Sequence, residues 1–126
     1  MNHLWDTHAL IFGMDGDPEL PDKCVAAARA GNNAVSCISL WEVACLVHKG
    51  KVKLKLPVAE WLDAVSHRVS VLPVTPMIAA AAYELVDFHG DPADRIIAAT
   101  SLVYPSIIVT RDEKLWKHTK LTCLWD

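Results

Sequence analysis

The chain has 126 residues, 52% hydrophobic and 21% charged, with a formal net charge of −3. One domain of that size has enough apolar material for a core, which excludes intrinsic disorder. The charge balance argues against a broad nucleic-acid-coating surface, and no apolar run approaches the ~18 residues that span a bilayer. Asp6 interrupts the N-terminal apolar residues too early for a secretory leader. Cys24, Cys37, Cys45 and Cys123 show neither CxxC nor zinc-finger spacing. They are expected as buried free thiols in a reducing, cytoplasmic setting.

In chain order, His3 to Asp6 is expected as a short strand ending on an acid. Pro18 to Ala30 is expected as a helix with an early proline, stopped by Gly31. Ala34 to Ile38 suits a buried strand, and a second helix runs from about Leu40 to His48 before Gly50. Lys51 to Leu56 alternates cation and aliphatic, an extended pattern. Val58, Trp61, Leu62 and Val65 then fall at i, i+3, i+4 and i+7, the stripe of an amphipathic helix. Val69 to Val74 is the next strand, and Pro76 to Phe88 an alanine-rich helix, apolar nearly all round and so expected inside. Gly90-Asp91-Pro92 precedes a helix through Val103. Ser106 to Thr110 holds the β-branched run of a central strand. A short helix from Asp112 and a strand from Leu121 to Trp125 complete the chain. Strands alternating with helices predict a single α/β domain over residues 1–126, a sandwich around a mostly parallel sheet. Ligands in such folds bind beyond the carboxyl ends of the strands.

Four acids occupy such places. Asp6 ends the first strand, Glu42 and Asp94 lie in first helical turns, and Asp112 follows the Ile107–Thr110 strand. Each has a plain structural explanation. Ser39-Leu40-Trp41-Glu42 fits the S-x-x-E capping box. Asp91-Pro92-Ala93-Asp94 fits an N-cap with proline at the first helical position and an acid at the third. Asp112 can cap the short helix that follows, whereas Asp6 is the hardest to explain by capping. Taken together, four acids at four such places point to one shared site. Several carboxylates in one place repel one another and raise one another's pKa unless a cation neutralises them. Hard ions such as Mg²⁺ and Mn²⁺ prefer those oxygens, acidify bound water and stabilise charge on a phosphodiester.

At these residues the sequence resembles the PIN-domain family, specifically ribonuclease toxins of the VapC type. The matching stretches are Leu4 to Leu10, Ser39 to Ala44, Gly50 to Leu54, Asp91 to Arg95 and Val109 to Asp112, in the family's order and spacing. The resemblance implies a PIN-like α/β/α sandwich and Mg²⁺-dependent endonucleolytic cleavage of RNA, with Mn²⁺ as a substitute ion. It also implies restraint by a cognate antitoxin, and a homodimer is expected. Asp6 and Asp94 match the family's principal metal ligands, and Glu42 and Asp112 the remaining acids of the catalytic set. Thr110 matches the small hydroxyl residue beside the last acid. Ala93 departs from the pattern, standing where an aromatic is common.

Lys49, Lys51, Lys53 and Lys55 are expected as a solvated strip. Arg95 and Arg111, beside two of the acids, are expected at phosphates. His3, His48, His67, His89 and His118 lack ligand spacing for zinc. Trp5, Trp41 and Trp61 are expected in core or interface packing rather than stacked on bases. A signalling receiver domain is a poor match: Asp6 has no paired acid, the Val69–Val74 strand ends without one, and no lysine follows Leu121. A catalytically idle PIN-like binding module and a DNA-directed metal nuclease remain alternatives, because metal–carboxylate chemistry does not itself read the 2′-hydroxyl.

Overall fold

The computed structural model describes residues 2–126. Strands β1 (Asn2–Trp5), β2 (Asn33–Ser36), β3 (Ser70–Leu72), β4 (Ser106–Val109) and β5 (Cys123–Leu124) form one sheet in the order β3-β2-β1-β4-β5. Every pairing is parallel, with Leu4 opposite Ala34 on one side and Ile108 on the other. Among the described residues seven helices flank it: α1 (Thr7–Asp15), α2 (Asp22–Ala30), α3 (Cys37–His48), α4 (Val58–Arg68), α5 (Pro76–Glu84), α6 (Pro92–Val103) and α7 (Glu113–Trp116). No helix among the described residues is long and apolar enough to cross a membrane.

Successive strand residues point to opposite faces, and the three inner strands spend adjacent apolar residues on the two sides. Leu4, Ala34 and Ile108 join Ile78, Ile97 and Phe88 in the layer built from α5 and α6. Trp5, Val35 and Val109 join Leu10, Val43, Trp61 and Val65 in the layer built from α1 to α4. Burying each such Ile, Val or Leu contributes roughly 1.5–3 kcal/mol, so both layers are needed to hold the central strands.

Some elements differ from the sequence reading. Thr7–Asp15 is helical, although its residues carry no clean helical signal and Gly13 sits inside it. A Cβ at Gly13 would lie 3.1 Å from the Trp5 ring, so the glycine lets α1 close onto β1. The helix expected from Pro18 starts only at Asp22. Ahead of it Asp17 forms a turn, accepting from the Glu19 N–H at 2.8 Å through its carboxylate and from the Leu20 N–H at 3.0 Å through its carbonyl. Strands β3 and β5 are shorter than Val69–Val74 and Leu121–Trp125.

Helix α5 ends at Glu84 and is not internal: Ile78 and Ala82 are buried, while Met77 and Tyr83 are exposed. Its alanines obscure which side faces the core. Trp41 is likewise out of the core, 67% exposed, because it lies on the outer side of α3 from Val43. Trp5 and Trp61 are buried as expected. All four cysteines are free, Cys24 buried and the other three half-buried. Burial pushes the Cys24 and Cys123 thiols up to about 11, with nearby carboxylates adding to it. These two thiols are therefore poor nucleophiles.

Candidate active site

The chain leaves β1 for β2 and β3 on one side, then returns to β4 and β5 on the other. The carboxyl ends of β1 and β4 therefore flank a switch point, where such sheets open a crevice. Asp6 stands there. Its N–H donates to the Val109 carbonyl at 3.1 Å, continuing the β1–β4 pairing one residue past the strand.

The carboxylate of Asp6 has two tasks. Oδ1 accepts the Ala9 N–H at 2.8 Å and caps α1, and Oδ2 accepts the hydroxyl of Thr110. The capping explanation thus applies to the acid where the sequence suggests it least, because the residues of α1 carry no clean helical pattern. Burial pushes the Asp6 carboxyl up from the ordinary range. The bonds from Thr110 and Ala9 and the His8 charge oppose that shift, and Asp112 adds to it.

Glu42 is not a capping-box residue. Helix α3 begins at Cys37 with Ser36 as its N-cap, so Glu42 lies in the second turn. Thr7 Oγ1 meets the Glu42 carboxylate and lies 3.1 Å from the Ser39 hydroxyl. With one proton to give, Thr7 donates to the carboxylate, and Ser39 supplies the other bond. Thr7 is a neighbour of the acids that no sequence pattern singles out; a hydroxyl directly after Asp6 is the available signal.

Asp91 caps α6 through the Asp94 N–H at 2.8 Å, as its spacing predicts. That bond uses the Asp94 backbone and leaves its carboxylate for the cleft. Burial raises the Asp94 carboxyl to about 7, helped by Asp91, Asp112, Glu42 and Asp6. Asp112 caps α7 by accepting the Lys114 N–H at 2.9 Å, and its own N–H donates to Thr110 Oγ1 at 3.0 Å. Trp116 Nε1 donates to the Thr110 carbonyl at 2.7 Å and fixes the same corner from behind.

Asp6, Glu42, Asp94 and Asp112 thus line one cleft of about 480 Å³, with Asp91, Thr7, His8, Arg111 and Lys114 completing the wall. Among the described residues no three carboxylate, imidazole or thiol groups close on a single point as they would around an ion. The acids instead surround open space. A larger cavity of about 580 Å³ lies between α1 and α2 against Trp5, Met14 and Arg29, away from the four acids.

The two arginines separate. Arg95 turns away from the cleft: Nη1 donates to the Phe88 carbonyl at 2.7 Å and Nη2 to the Ala82 carbonyl at 2.6 Å. It satisfies carbonyls at and beyond the end of α5, so the phosphate contact expected for it is replaced by a helix cap. Arg111 faces the cleft. Lys49, Lys51, Lys53 and Lys55 are exposed and none lines the cleft.

An all-parallel sheet with acids gathered at its switch point defines a class that comparison with known proteins makes specific. The PIN-domain family pattern matches residues 4–121. Ribonuclease VapC22 of Mycobacterium tuberculosis is 38% identical over 118 residues, covering 91% of this chain and 90% of that protein. The chain belongs to the PIN-domain family, in its VapC branch. Solved structures share the fold at low identity. The VapBC2 complex of Rickettsia felis, bound to a promoter DNA fragment, matches with TM-score 0.75 and 19% identity over 100% of both chains. VapBC-1 of nontypeable Haemophilus influenzae matches with TM-score 0.73 and 18% identity, over 98% of this chain and 97% of that one.

Proposed function

We propose that this chain is a divalent-metal-dependent endoribonuclease, the toxin of a toxin–antitoxin pair, which hydrolyses RNA phosphodiester bonds at the Asp6–Glu42–Asp94–Asp112 cleft. Restraint by a cognate antitoxin, assembly as a homodimer and cytoplasmic residence belong to the same reading. The observation that carries it is the convergence of four acids, scattered from Asp6 to Asp112, on one cleft. Its likeness to Ribonuclease VapC22 supports the activity, and its likeness to toxin–antitoxin complexes supports the partner.

The residues present fit a hard divalent cation. They offer carboxylate oxygens, and the ~7 of Asp94 reflects burial and mutual repulsion that a cation relieves. Asp6 and Asp94 would hold Mg²⁺, with Mn²⁺ as a substitute. When bound, the ion supplies Lewis-acid stabilisation of phosphate charge and an acidified water. The chain's own residues do the rest. Thr110 fixes the Asp6 carboxylate, while the N-terminus of α6 favours the ionised form of Asp94. Glu42, held by Thr7, and Asp112, held at the α7 cap, orient the attacking water and take up its proton. In-line attack leaves a 5′-phosphate and a 3′-hydroxyl.

The test is cleavage of total cellular RNA with Mg²⁺ by wild type beside Asp6→Asn and Asp94→Asn, each confirmed folded. Discrete fragments from wild type alone, abolished by chelation, support the reading. RNA left intact by antitoxin-free wild type, with Mn²⁺ also supplied, favours the idle binding module.

A further inference from the structure

We propose that Arg111, seated on an aromatic shelf made by Phe12 and Trp125, grips a backbone phosphate of the RNA beside the bond that is cut. Trp125 then acts as a positioning residue through Arg111. The inference rests on reading the cleft as a nuclease site and adds to it the element that admits a polyanion.

The need arises from charge. Among the described residues the cleft wall carries five carboxylates against two permanent cations, Arg111 and Lys114. Even with a divalent ion bound, an RNA strand meets more negative than positive charge there and needs a cationic handhold at the rim. Arg95 cannot serve, since its guanidinium is committed to the Phe88 and Ala82 carbonyls. Lys114 is an exposed, flexible point charge on a one-turn helix.

Arg111 is differently placed. Its Cζ lies 4.9 Å from the Phe12 ring centroid and 6.0 Å from that of Trp125. The two rings are 6.2 Å apart and tilted by 49°, both half-buried. A guanidinium held over aromatic rings is positioned without spending its N–H donors, which suit phosphate oxygens. Among the described residues its one ion pair is with Glu19 at 3.9 Å, between exposed side chains. Solvent screens so long a contact, and a phosphate can displace it.

The shelf is also registered to the carboxylates. Phe12 lies on α1, the helix that Asp6 caps, and Trp125 follows β5, which pairs with β4. Arg111 itself follows Thr110, whose hydroxyl binds Asp6. The cation is therefore held from both sides of the switch point, at a fixed offset from the acid proposed to hold the metal.

The experiment uses the intact chain and a fluorescent single-stranded RNA carrying a site mapped from wild-type digestion of total RNA. Arg111→Ala is expected to raise KM about tenfold with kcat within about twofold of wild type. It should also lower the salt-dependence slope of binding by about 0.7. Arg111→Lys keeps the slope but recovers KM only in part. Trp125→Ala raises KM several-fold with the slope retained, and Trp125→Phe restores KM; if Trp125→Ala fails to fold, Trp125→Leu decides the matter. Wild-type KM and slope in Arg111→Ala, or a loss confined to kcat, would overturn the proposal. So would Trp125 variants that alter the melting temperature without altering KM. Absence of cleavage by wild type would instead remove the nuclease reading on which the proposal stands, and the proposal with it.

Discussion

Thr110 donates its hydroxyl to the carboxylate of Asp6 from 104 residues away in sequence. The bond joins the ends of β1 and β4, so the acid that the proposed chemistry needs is oriented by the sheet pairing itself. The same carboxylate caps α1. Fold and site therefore share a side chain, and the two contributions can be separated by choice of substitution.

Asp6→Asn keeps an amide oxygen for the Ala9 N–H; it removes the charge and turns the oxygen facing Thr110 into an N–H donor, which the Thr110 hydroxyl can accept. Asp6→Ala removes the cap as well. Asparagine at this position should melt near the wild-type temperature while RNA cleavage is lost. Alanine should lose cleavage and also about 1–2 kcal/mol of stability. Thermal unfolding alongside a cleavage assay checks both, and equal stability of the two variants would show that the cap contributes little.

Asp94 links stability to pH. Its carboxyl ordinarily titrates at 3.8 and is raised to about 7 in the fold, so the folded state favours the neutral form. Such a group contributes a stability that is present at low pH and is lost as pH rises towards 7. With the discount that partial solvent exposure requires, roughly 1 kcal/mol is at stake, or about 4 °C in melting temperature. The metal-free protein should therefore melt lower at about pH 8 than at about pH 5.5. Asp94→Asn should flatten that dependence, and Mg²⁺ should stabilise wild type more at the higher pH. A melting temperature independent of pH and of Mg²⁺ would contradict the burial and repulsion assigned to this group.

Gly90 allows the approach of α6. A Cβ there would overlap the Phe88 ring and lie 2.8 Å from the Asp94 Cβ. Gly90→Ala should destabilise by about 1–3 kcal/mol and reduce cleavage by displacing Asp94. Chemical denaturation and cleavage rates on the same preparation test the two consequences together.

Arg95 and Arg111 make opposite predictions despite similar sequence settings. Arg95→Ala strips hydrogen bonds from the Phe88 and Ala82 carbonyls and should cost about 2–3 kcal/mol. The KM of its folded fraction for RNA should stay at the wild-type value. Urea unfolding curves and steady-state kinetics distinguish this from the Arg111 behaviour.

The residues most legible in sequence were those whose signal is local. The apolar Ile107–Val109 run marked β4, and Asp91-Pro92 marked the start of α6, where capping and first-turn chemistry determine the structure. The acids were found by their places in the strand–helix order. What stayed hidden depends on packing partners far away in sequence. Helix α1 contains Gly13, which only the approach of the Trp5 ring explains. The alanines of α5 make both its sides look apolar, and the sheet alone decides which is covered. Arg95 and Arg111 each adjoin an acid, and only the fold shows that one meets helix carbonyls and the other two aromatic rings. Thr7 depends on α3 lying beside α1, which no local pattern states.

The doubled role of Asp6 also constrains how relatives of this chain can diverge. A codon for aspartate becomes one for asparagine by a single base change, and that path abolishes the charge while sparing the helix cap. Most other replacements at the position endanger the fold before selection can act on the lost chemistry. Lineages that retain this architecture after abandoning catalysis should therefore be enriched in asparagine there, whereas Asp94, whose carboxylate caps nothing, is free to vary more widely.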